Sequence, residues 1–95
     1  MAHDVDITHN AERHRYELRV DGELASIAEY TPAGARFVFD HTETAAAFRG
    51  RGLAEKLVRA ALEDVRKRNG GVVPSCSFVA EFMDEHPEFA DLLGK

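Results

Sequence analysis

Hydrophobic and polar residues alternate regularly over the first half of the chain. Residues 16–20 alternate between bulky apolar and charged side chains, which is the two-residue period of a strand with one buried face. An Asp-Gly pair at positions 21–22 tolerates the positive φ of a two-residue hairpin turn, and residues 23–31 form a second predicted strand. A turn over residues 32–34 leads to a third strand over residues 35–43. Because the connections are short, an antiparallel three-stranded meander is expected.

A helical spacing replaces the alternation after position 52. Hydrophobic residues then recur every three or four positions, as Leu53, Ala54, Leu57, Val58, Ala61, Leu62 and Val65. The Asn-Gly-Gly run at residues 69–71 ends this helix, and a short strand follows at residues 72–73. A second helix is expected over residues 78–83, with Ser75 or Ser77 as its cap. A strand that follows a helical crossover should lie parallel to a strand of the meander.

The order of these elements predicts an α+β fold, a mixed α/β arrangement. The antiparallel meander is followed by a helix, a parallel strand and a second helix, and Pro87 favours a final turn. Residues 4–12 show only a weak pattern and are expected to be frayed or lightly paired. A chain of 95 residues has the length of one domain, so a single domain spanning residues 1–95 is expected.

Composition narrows the class of protein. Hydrophobic residues make up 44% and charged residues 31% of the chain, which excludes a disordered or low-complexity protein. The single cysteine, Cys76, has no partner for an internal disulfide, and no Cys/His spacing suits a structural zinc, so no metal is expected. The acidic N-terminal residues lack the charge and apolar run of a signal peptide, and no apolar stretch is long enough for a membrane span. A cytoplasmic protein is therefore expected.

Charge is distributed unevenly along the chain. The net charge of −5 argues against a nucleic-acid partner. Residues 49–68 contain seven basic and three acidic residues, a local charge of +4, whereas the remaining residues carry −9. A small basic segment in an acidic body suits a compact anion as ligand and a cationic partner elsewhere on the surface. A solvated basic helix face is the alternative interpretation.

The junction between the third strand and the first helix is rich in glycine. Gly50 and Gly52 stand directly before the helix, where a tight turn can direct several backbone N–H groups at one anion. The run lacks the Gly-Lys-Ser/Thr of a phosphate-binding Walker loop, and Glu55 stands where a dinucleotide fingerprint needs a small residue. The spacing therefore predicts a phosphate site of another kind.

Four short segments together resemble the GNAT acyltransferase superfamily, and within it a branch of very small single-domain N-acetyltransferases. Residues 49–54 match its R-x-x-G-x-G/A motif, between a strand and a helix as in that fold. The other three segments are residues 41–43, residues 73–78 with Pro74-Ser75-Cys76, and residues 86–89. The resemblance covers the chain from about Val20 to Leu93.

This resemblance implies acetyl-CoA as the acyl donor. Its diphosphate would bind the amides of residues 51–54, with Arg49 or Arg51 nearby, and its pantetheine arm would pair with backbone in a gap between residues 39–44 and residues 72–76. The implied cofactor-binding residues are Thr42, Glu43, Thr44, Arg49, Gly50, Arg51, Gly52, Leu53, Ala54, Ser75 and Cys76.

Transfer of acetyl to an amine needs a base, because such an amine is mostly protonated at neutral pH. Glu43 is the first candidate and His41, two residues earlier on the same face, the alternative; strict alternation also places His41 beside Phe39. The tyrosine with which many superfamily members protonate the CoA thiolate is absent, and Phe82 and Met83 occupy that region. Cys76 is a candidate for this acid, or for a nucleophile that accepts acetyl, with a buried structural thiol as the alternative.

The leading hypothesis is an acetyl-CoA-dependent N-acetyltransferase that acts on a primary amine, either a protein lysine or a small amine. The alternative is a CoA- or acyl-CoA-binding module without catalysis, and a third reading is an interaction domain with an acidic partner. Neither nucleic acid nor membrane is expected as a partner, and a monomer or weak dimer is expected. His3, His9 and His14 are expected to be exposed.

Overall fold

A computed structural model of the chain describes residues 4–95 and places five strands in one sheet. The elements in chain order are β1 (Val5–Asn10), β2 (Arg15–Val20), β3 (Glu23–Ala33), β4 (Arg36–Thr44), a 3₁₀ turn (Ala46–Phe48), α1 (Leu53–Lys67), β5 (Gly71–Pro74), α2 (Ser77–Glu85) and a C-terminal 3₁₀ segment (Pro87–Gly94). The strands lie side by side in chain order, with β1 to β4 antiparallel and β5 parallel to β4. The predicted α+β class is confirmed.

Both helices pack against one face of the sheet. The hydrophobic stripe of α1 is buried as predicted, except that Ala54 is only half-buried, and it joins the inward side chains of the sheet in one cluster. Helix α2 lies beside α1, where the Arg59 guanidinium stands 5.6 Å from the centre of the Phe82 ring. The other face carries the outward side chains of β1 to β4, and no helix of residues 4–95 covers it; we call it the open face.

Strand β1 extends the expected meander from three strands to four. All six residues of Val5–Asn10 pair with β2, which places Ile7 opposite Leu18 and His9 opposite Tyr16. The expectation of a frayed or lightly paired start is therefore corrected. The inward side of β1 carries Val5, Ile7 and a histidine, which give only a weak sequence pattern, and the ladder with β2 orders the strand.

The two hairpin turns differ in how well the sequence locates them. Asp21 and Gly22 adopt φ of 51° and 85°, so the first turn is confirmed. The second turn is shifted, because β3 continues through Ala33, which pairs with Arg36. The turn therefore consists of residues 34–35 and not residues 32–34.

A β-bulge interrupts β4 at Asp40. On β3 the residues Glu29 and Tyr30 are adjacent, yet they pair with His41 and Phe39, so Asp40 is the extra residue. Phe39 is buried before the bulge, whereas His41 after it is exposed. The prediction that His41 shares a face with Phe39 is wrong, because the bulge reverses which side chains point inward.

The N-terminal histidines do not share one environment. His14 is exposed as predicted, and His3 lies outside the described residues. His9 is not exposed: its ring stacks on Tyr16 with 4.3 Å between ring centres, and its Nε2 lies 2.5 Å from the Tyr30 hydroxyl. The inward side of β1 faces the core, which explains why the prediction fails for His9.

Candidate active site

The glycine-rich loop before α1 presents a row of free backbone amides. Gly50 and Gly52 adopt φ of 81° and 70°, a left-handed conformation that glycine enters without the steric cost of a Cβ atom. Gly52 caps the helix without a side-chain hydrogen bond, and its carbonyl accepts the Lys56 amide at 3.2 Å. Within residues 4–95, the amides of residues 50–55 have no hydrogen-bond acceptor. Such a row, with the positive end of the helix dipole, suits an anionic group.

A cleft of about 240 Å³ opens over these amides. Phe48 and Phe78 contribute aromatic side chains, and the Arg51 guanidinium lies 5.4 Å from the centre of the Phe48 ring. The lining residues are Thr44, Phe48, Arg49, Gly50, Gly52, Leu53, Ala54, Glu55 and Phe78. Two aromatic side chains and a run of amides can accommodate a ligand with both apolar and phosphate parts.

Arg49 connects the loop to the end of β4. Its Nε donates a hydrogen bond to the Thr44 carbonyl at 3.1 Å. The structure thus brings Arg49 to the strand end, while Arg51 lies over Phe48 beside the cleft. Of the two arginines named from the sequence, Arg51 is the one whose side chain is not bonded to the backbone of β4.

Strands β4 and β5 pair over a short stretch and then part. Their register ends at Phe39 and Pro74, and the last backbone–backbone hydrogen bond between the two segments is donated by the Cys76 amide to the Phe39 carbonyl at 2.8 Å. Beyond this point β4 continues to Thr44 without β5 beside it. This opening, the gap, begins after Phe39 and Pro74 and lies between residues 40–44 and residues 75–76. It is narrower than the range predicted from the sequence, because residues 72–74 pair with residues 37–39.

The bulge places the predicted site residues of β4 on two sides of the strand. Thr42 and Thr44 are half-buried on the helix side, whereas His41 and Glu43 lie on the open face. The His41 Nε2 and the Glu43 Oε1 are 3.2 Å apart, and their side chains are 51% and 64% exposed. The structure therefore brings His41 and Glu43 together, and it places them on the other side of the strand from Thr42.

Cys76 lies at the closed end of the gap, beside Thr42. Its Sγ is 3.6 Å from the Thr42 Oγ1. Burial opposes ionisation, but the Thr42 hydroxyl and the amides of Val79, Phe78 and Thr42 outweigh it, so the pKa of the Cys76 thiol is below its ordinary value.

The N-cap residue of α2 differs from the one predicted from the sequence. Cys76, with ψ of 132°, is the N-cap residue, and neither Ser75 nor Ser77 takes that place. The reason is the hydrogen bond from the Cys76 amide to Phe39, which keeps Cys76 extended until the helix begins at Ser77. Ser75 is exposed beside the gap.

Sequence reasoning did not identify three contributors to the site. Phe48 and Phe78 pack against the hydrophobic core and also line the cleft. The available signal was an aromatic residue directly before the glycine loop and another directly after the cysteine segment. The third contributor is the backbone amide of Glu55, one residue beyond the amides expected from the sequence. It is free because the amides in the first turn of a helix have no acceptor within the helix.

Residues 4–95 contain neither a cluster of metal ligands nor a membrane-spanning helix. No group of three or more His, Cys, Asp and Glu side chains in this range could hold a metal ion. None of the helices in the described part has both the length and the apolar character needed to cross a bilayer.

Comparisons with known sequences agree with the geometry. A sequence profile described as GCN5-related N-acetyl-transferase matches residues 15–92 of the chain. Protein NATD1 of Bos taurus is 31% identical over 85 residues, covering 87% of this chain and 75% of the relative. Protein NATD1 of Homo sapiens is 29% identical over 85 residues, with the same shares covered.

Solved structures share the fold at lower identity. The solution structure of a GCN5-like protein from Staphylococcus aureus superposes with a TM-score of 0.70 and 20% identity, covering 92% of this chain and 85% of that one. A ribosomal-protein-alanine N-acetyltransferase from Brucella melitensis superposes with a TM-score of 0.59 and 15% identity, covering 90% and 91% of the two chains. At these identities the comparison shows a common fold.

Proposed function

The chain belongs to the GCN5-related N-acetyltransferase family, and from this premise we propose that it transfers acetyl from acetyl-CoA to a primary amine, either a protein lysine or a small amine. The observation that carries the proposal is the row of free amides at residues 50–55, which opens on the cleft. We further propose that residues 1–95 act as a single domain, because the described residues share one hydrophobic cluster.

The donor would lie along the cleft and the gap. The amides of the loop would accept its diphosphate, with the Arg51 guanidinium beside them, and a run of free N–H groups at a helix N-terminus is a common phosphate site. The pantetheine amides would pair with the Thr42 carbonyl and with the backbone of Thr44, which β5 leaves without a neighbouring strand. Arg49 would hold the loop against the end of β4 through its bond to the Thr44 carbonyl.

A side chain on the open face would remove the proton from the amine. Glu43 is the proposed base, because its carboxylate is exposed and is hydrogen-bonded to His41. His41 would orient this carboxylate or take the proton itself. A base so placed typically accelerates such a step by about 10²-fold or more. The acidic residues outside the basic segment would favour a cationic acceptor over an anionic one.

Cys76 would either protonate the departing CoA sulfur or accept the acetyl group covalently. In direct transfer, Glu43 takes a proton from the ammonium group, and the neutral amine nitrogen then bonds to the thioester carbon. The C–S bond breaks, the departing sulfur takes the proton of the Cys76 thiol, and the second proton lost from nitrogen restores that thiol. In a two-step route, the Cys76 thiolate displaces CoA and forms an S-acetyl group, which the amine then removes. The thiol lies at the closed end of the gap in either case.

Donor binding is tested by thermal unfolding with acetyl-CoA or CoA. At a ligand concentration one hundred times Kd, binding stabilises the fold by about 2.7 kcal/mol. A Cys76→Ala variant should show the same shift, because the diphosphate site does not involve the thiol. An unchanged melting temperature with both ligands would exclude the donor site.

Turnover is tested by release of CoA thiol in the presence of a panel of amines and lysine peptides. Glu43→Gln should lower kcat about 10²-fold, whereas Glu29→Gln, a matched change on the neighbouring strand of the open face, should not. Cys76→Ala should also lower kcat, and acetyl on Cys76 by mass spectrometry would support the two-step route. A melting shift without thiol release for any amine would favour the binding module over the enzyme.

A further inference from the structure

The backbone contacts and conformation of Cys76 determine where its sulfur atom lies. The Cys76 amide donates to the Phe39 carbonyl at 2.8 Å, and the residue is extended at φ −79° and ψ 132° before α2 begins. These contacts fix the Cα of Cys76 at the point where the two strands part. The thiol is then directed across the gap, where its Sγ meets the Thr42 Oγ1 at 3.6 Å, within the range of a sulfur hydrogen bond.

The bulge at Asp40 determines that Thr42 is the residue opposite the sulfur. Directly after β4 the Ala45 amide donates to the Ala25 carbonyl on β3, and within β4 the Glu43 carbonyl accepts the Ser26 hydroxyl. After the bulge, odd-numbered residues therefore direct their backbone groups toward β3, and the backbone of Thr42 is directed toward the gap. Thr42 consequently offers two donors to one sulfur atom, its N–H and its hydroxyl.

From this geometry we infer that the Thr42 hydroxyl is a positioning group for the Cys76 thiol, which holds the sulfur at the closed end of the gap and supports its negative charge. The inference rests on the proposed function, in which Cys76 gives up a proton, and it adds a side-chain role to a residue expected to bind the donor through its backbone. A thiolate accepts two hydrogen bonds from Thr42, whereas a neutral thiol needs neither.

The strongest influences on this thiol come from uncharged groups. They are burial, which opposes ionisation, and the Thr42 hydroxyl with the amides of Val79, Phe78 and Thr42, which favour it. The titratable side chains of the neighbouring elements point elsewhere: Asp40, His41 and Glu43 of β4 and Glu81 of α2 are exposed. Thr42 is therefore the side chain whose removal should change the ionisation most directly.

Because Cys76 is the single cysteine, its ionisation can be followed by the rate of iodoacetamide alkylation against pH. Thr42→Val removes the hydroxyl at nearly constant volume, and a hydrogen bond to a charged group of ordinary strength corresponds to alkylation about tenfold slower at pH 7. Thr42→Ser keeps the hydroxyl and should restore most of the rate. Thr8→Val, a matched change on β1 at the far edge of the sheet, should leave the whole profile unchanged.

The outcomes separate the inference from the proposed function. An alkylation profile in folded Thr42→Val that coincides with that of the wild type overturns the inference, whatever the enzyme activity. If Thr42→Val does not fold, as judged by its melting curve, Thr42→Ala removes the hydroxyl without adding a methyl group and is held to the same criterion. Slower alkylation in Thr42→Val together with unchanged turnover in Cys76→Ala would support the positioning role and reject the catalytic role of Cys76.

Discussion

Glu17 is a buried carboxylate on the open face of the sheet. Its side chain is 5% exposed and lies between Arg15 and Arg19, with bonds of 2.7 and 2.8 Å. The hydrogen bond from Arg19 is the largest cause of its lowered pKa of about 2; burial opposes the shift, and Arg15 and Asn10 add to it. The alternation of β2 correctly predicts that Glu17 points away from the helices, but not that its arginine neighbours cover it.

Glu17→Gln should destabilise the fold at pH 7 by about 1 to 3 kcal/mol, since it leaves both arginines without a charged partner. A carboxyl whose pKa is lower in the folded state contributes stability above its unfolded pKa of about 4.5 and loses that contribution as the pH falls toward 2. In urea unfolding, the difference in free energy of unfolding between Glu17→Gln and the wild type should therefore shrink over that pH range. Equal destabilisation by Glu23→Gln, an exposed control on β3, would contradict the assignment.

His9 ties the edge strand to α1 and the centre of the sheet. Its Nδ1 lies 3.7 Å from the Asp64 carboxylate, which also accepts hydrogen bonds from the Tyr16 hydroxyl at 2.6 Å and from Arg68 at 2.8 Å. Burial is the main cause that lowers the pKa of His9, and the charge of Arg68 adds to it, while Asp64 partly opposes it. Neutral His9 is therefore the form that the folded state favours.

The pH dependence follows from that preference. A histidine with a lowered pKa contributes stability above its unfolded pKa of 6.5 and loses it as the pH falls below that value. We expect the melting temperature to fall between pH 7 and pH 5, and to fall less in His9→Phe/Tyr30→Phe, which removes both partners of the buried hydrogen bond. His14→Asn changes an exposed histidine and should retain the wild-type slope. Identical slopes in all three proteins would be inconsistent with a role for His9.

At the scale of elements, the glycine loop shows how one backbone conformation sets the direction of the amides at the start of a helix. Gly52 stands at φ 70°, and a Cβ atom there would meet nothing within 4 Å. The requirement for glycine is therefore conformational, since an L-residue in this region costs about 1 kcal/mol or more. A change of φ at Gly52 would alter the direction of the amides that follow.

Gly52→Ala should lower stability by about 1 kcal/mol and weaken CoA binding about tenfold or more, because the amides of the first turn lose their common direction. Gly34→Ala is the matched control, since Gly34 has φ of 64°, equally open surroundings and a place in the hairpin turn away from the cleft. It should cost similar stability and keep the CoA affinity, as measured by calorimetry. Equal losses of affinity in both variants would show that the loop acts only through stability.

The elements that the sequence predicts well are those defined by local pattern. The strand alternation around Leu18, the Asp-Gly turn and the stripe of α1 depend on nearby residues and are found as expected. The frayed start, the second turn and the place of His41 depend on pairing with other strands, which periodicity does not contain. For the site, glycine spacing locates the loop, whereas the separation of Cys76 from Glu43 depends on the bulge at Asp40.

At the scale of the whole molecule, the C-terminal segment closes the end of the core. Phe89 and Leu92 are 1% and 0% exposed, and Arg66 holds the segment through the Glu88 carbonyl at 2.7 Å and the Asp91 carboxylate at 2.6 Å. Phe89 and Leu92 belong to the same hydrophobic cluster as the buried residues of the strands and of both helices. Loss of packing here should therefore affect the entire fold.

Leu92→Ala should destabilise the protein by about 2 to 5 kcal/mol, the usual cost of a cavity in a closed core. The adjacent Leu93 is 49% exposed, and Leu93→Ala should change stability by less than about 0.5 kcal/mol. For a single domain, unfolding in urea followed by circular dichroism and by fluorescence of the tyrosines should give coincident transitions. Two separate transitions, or equal costs for the two leucines, would contradict a single core.

Asp40 is one extra residue in β4, and it reverses which of the following side chains point toward the helices. Without it, the imidazole and carboxylate of His41 and Glu43 would face the helices, and the hydroxyls of Thr42 and Thr44 would face solvent. One inserted position thus decides which side chains accompany the sulfur and which face away from the helices. Shortening the strand by this one residue would exchange the two sets of groups without altering any of the side chains involved.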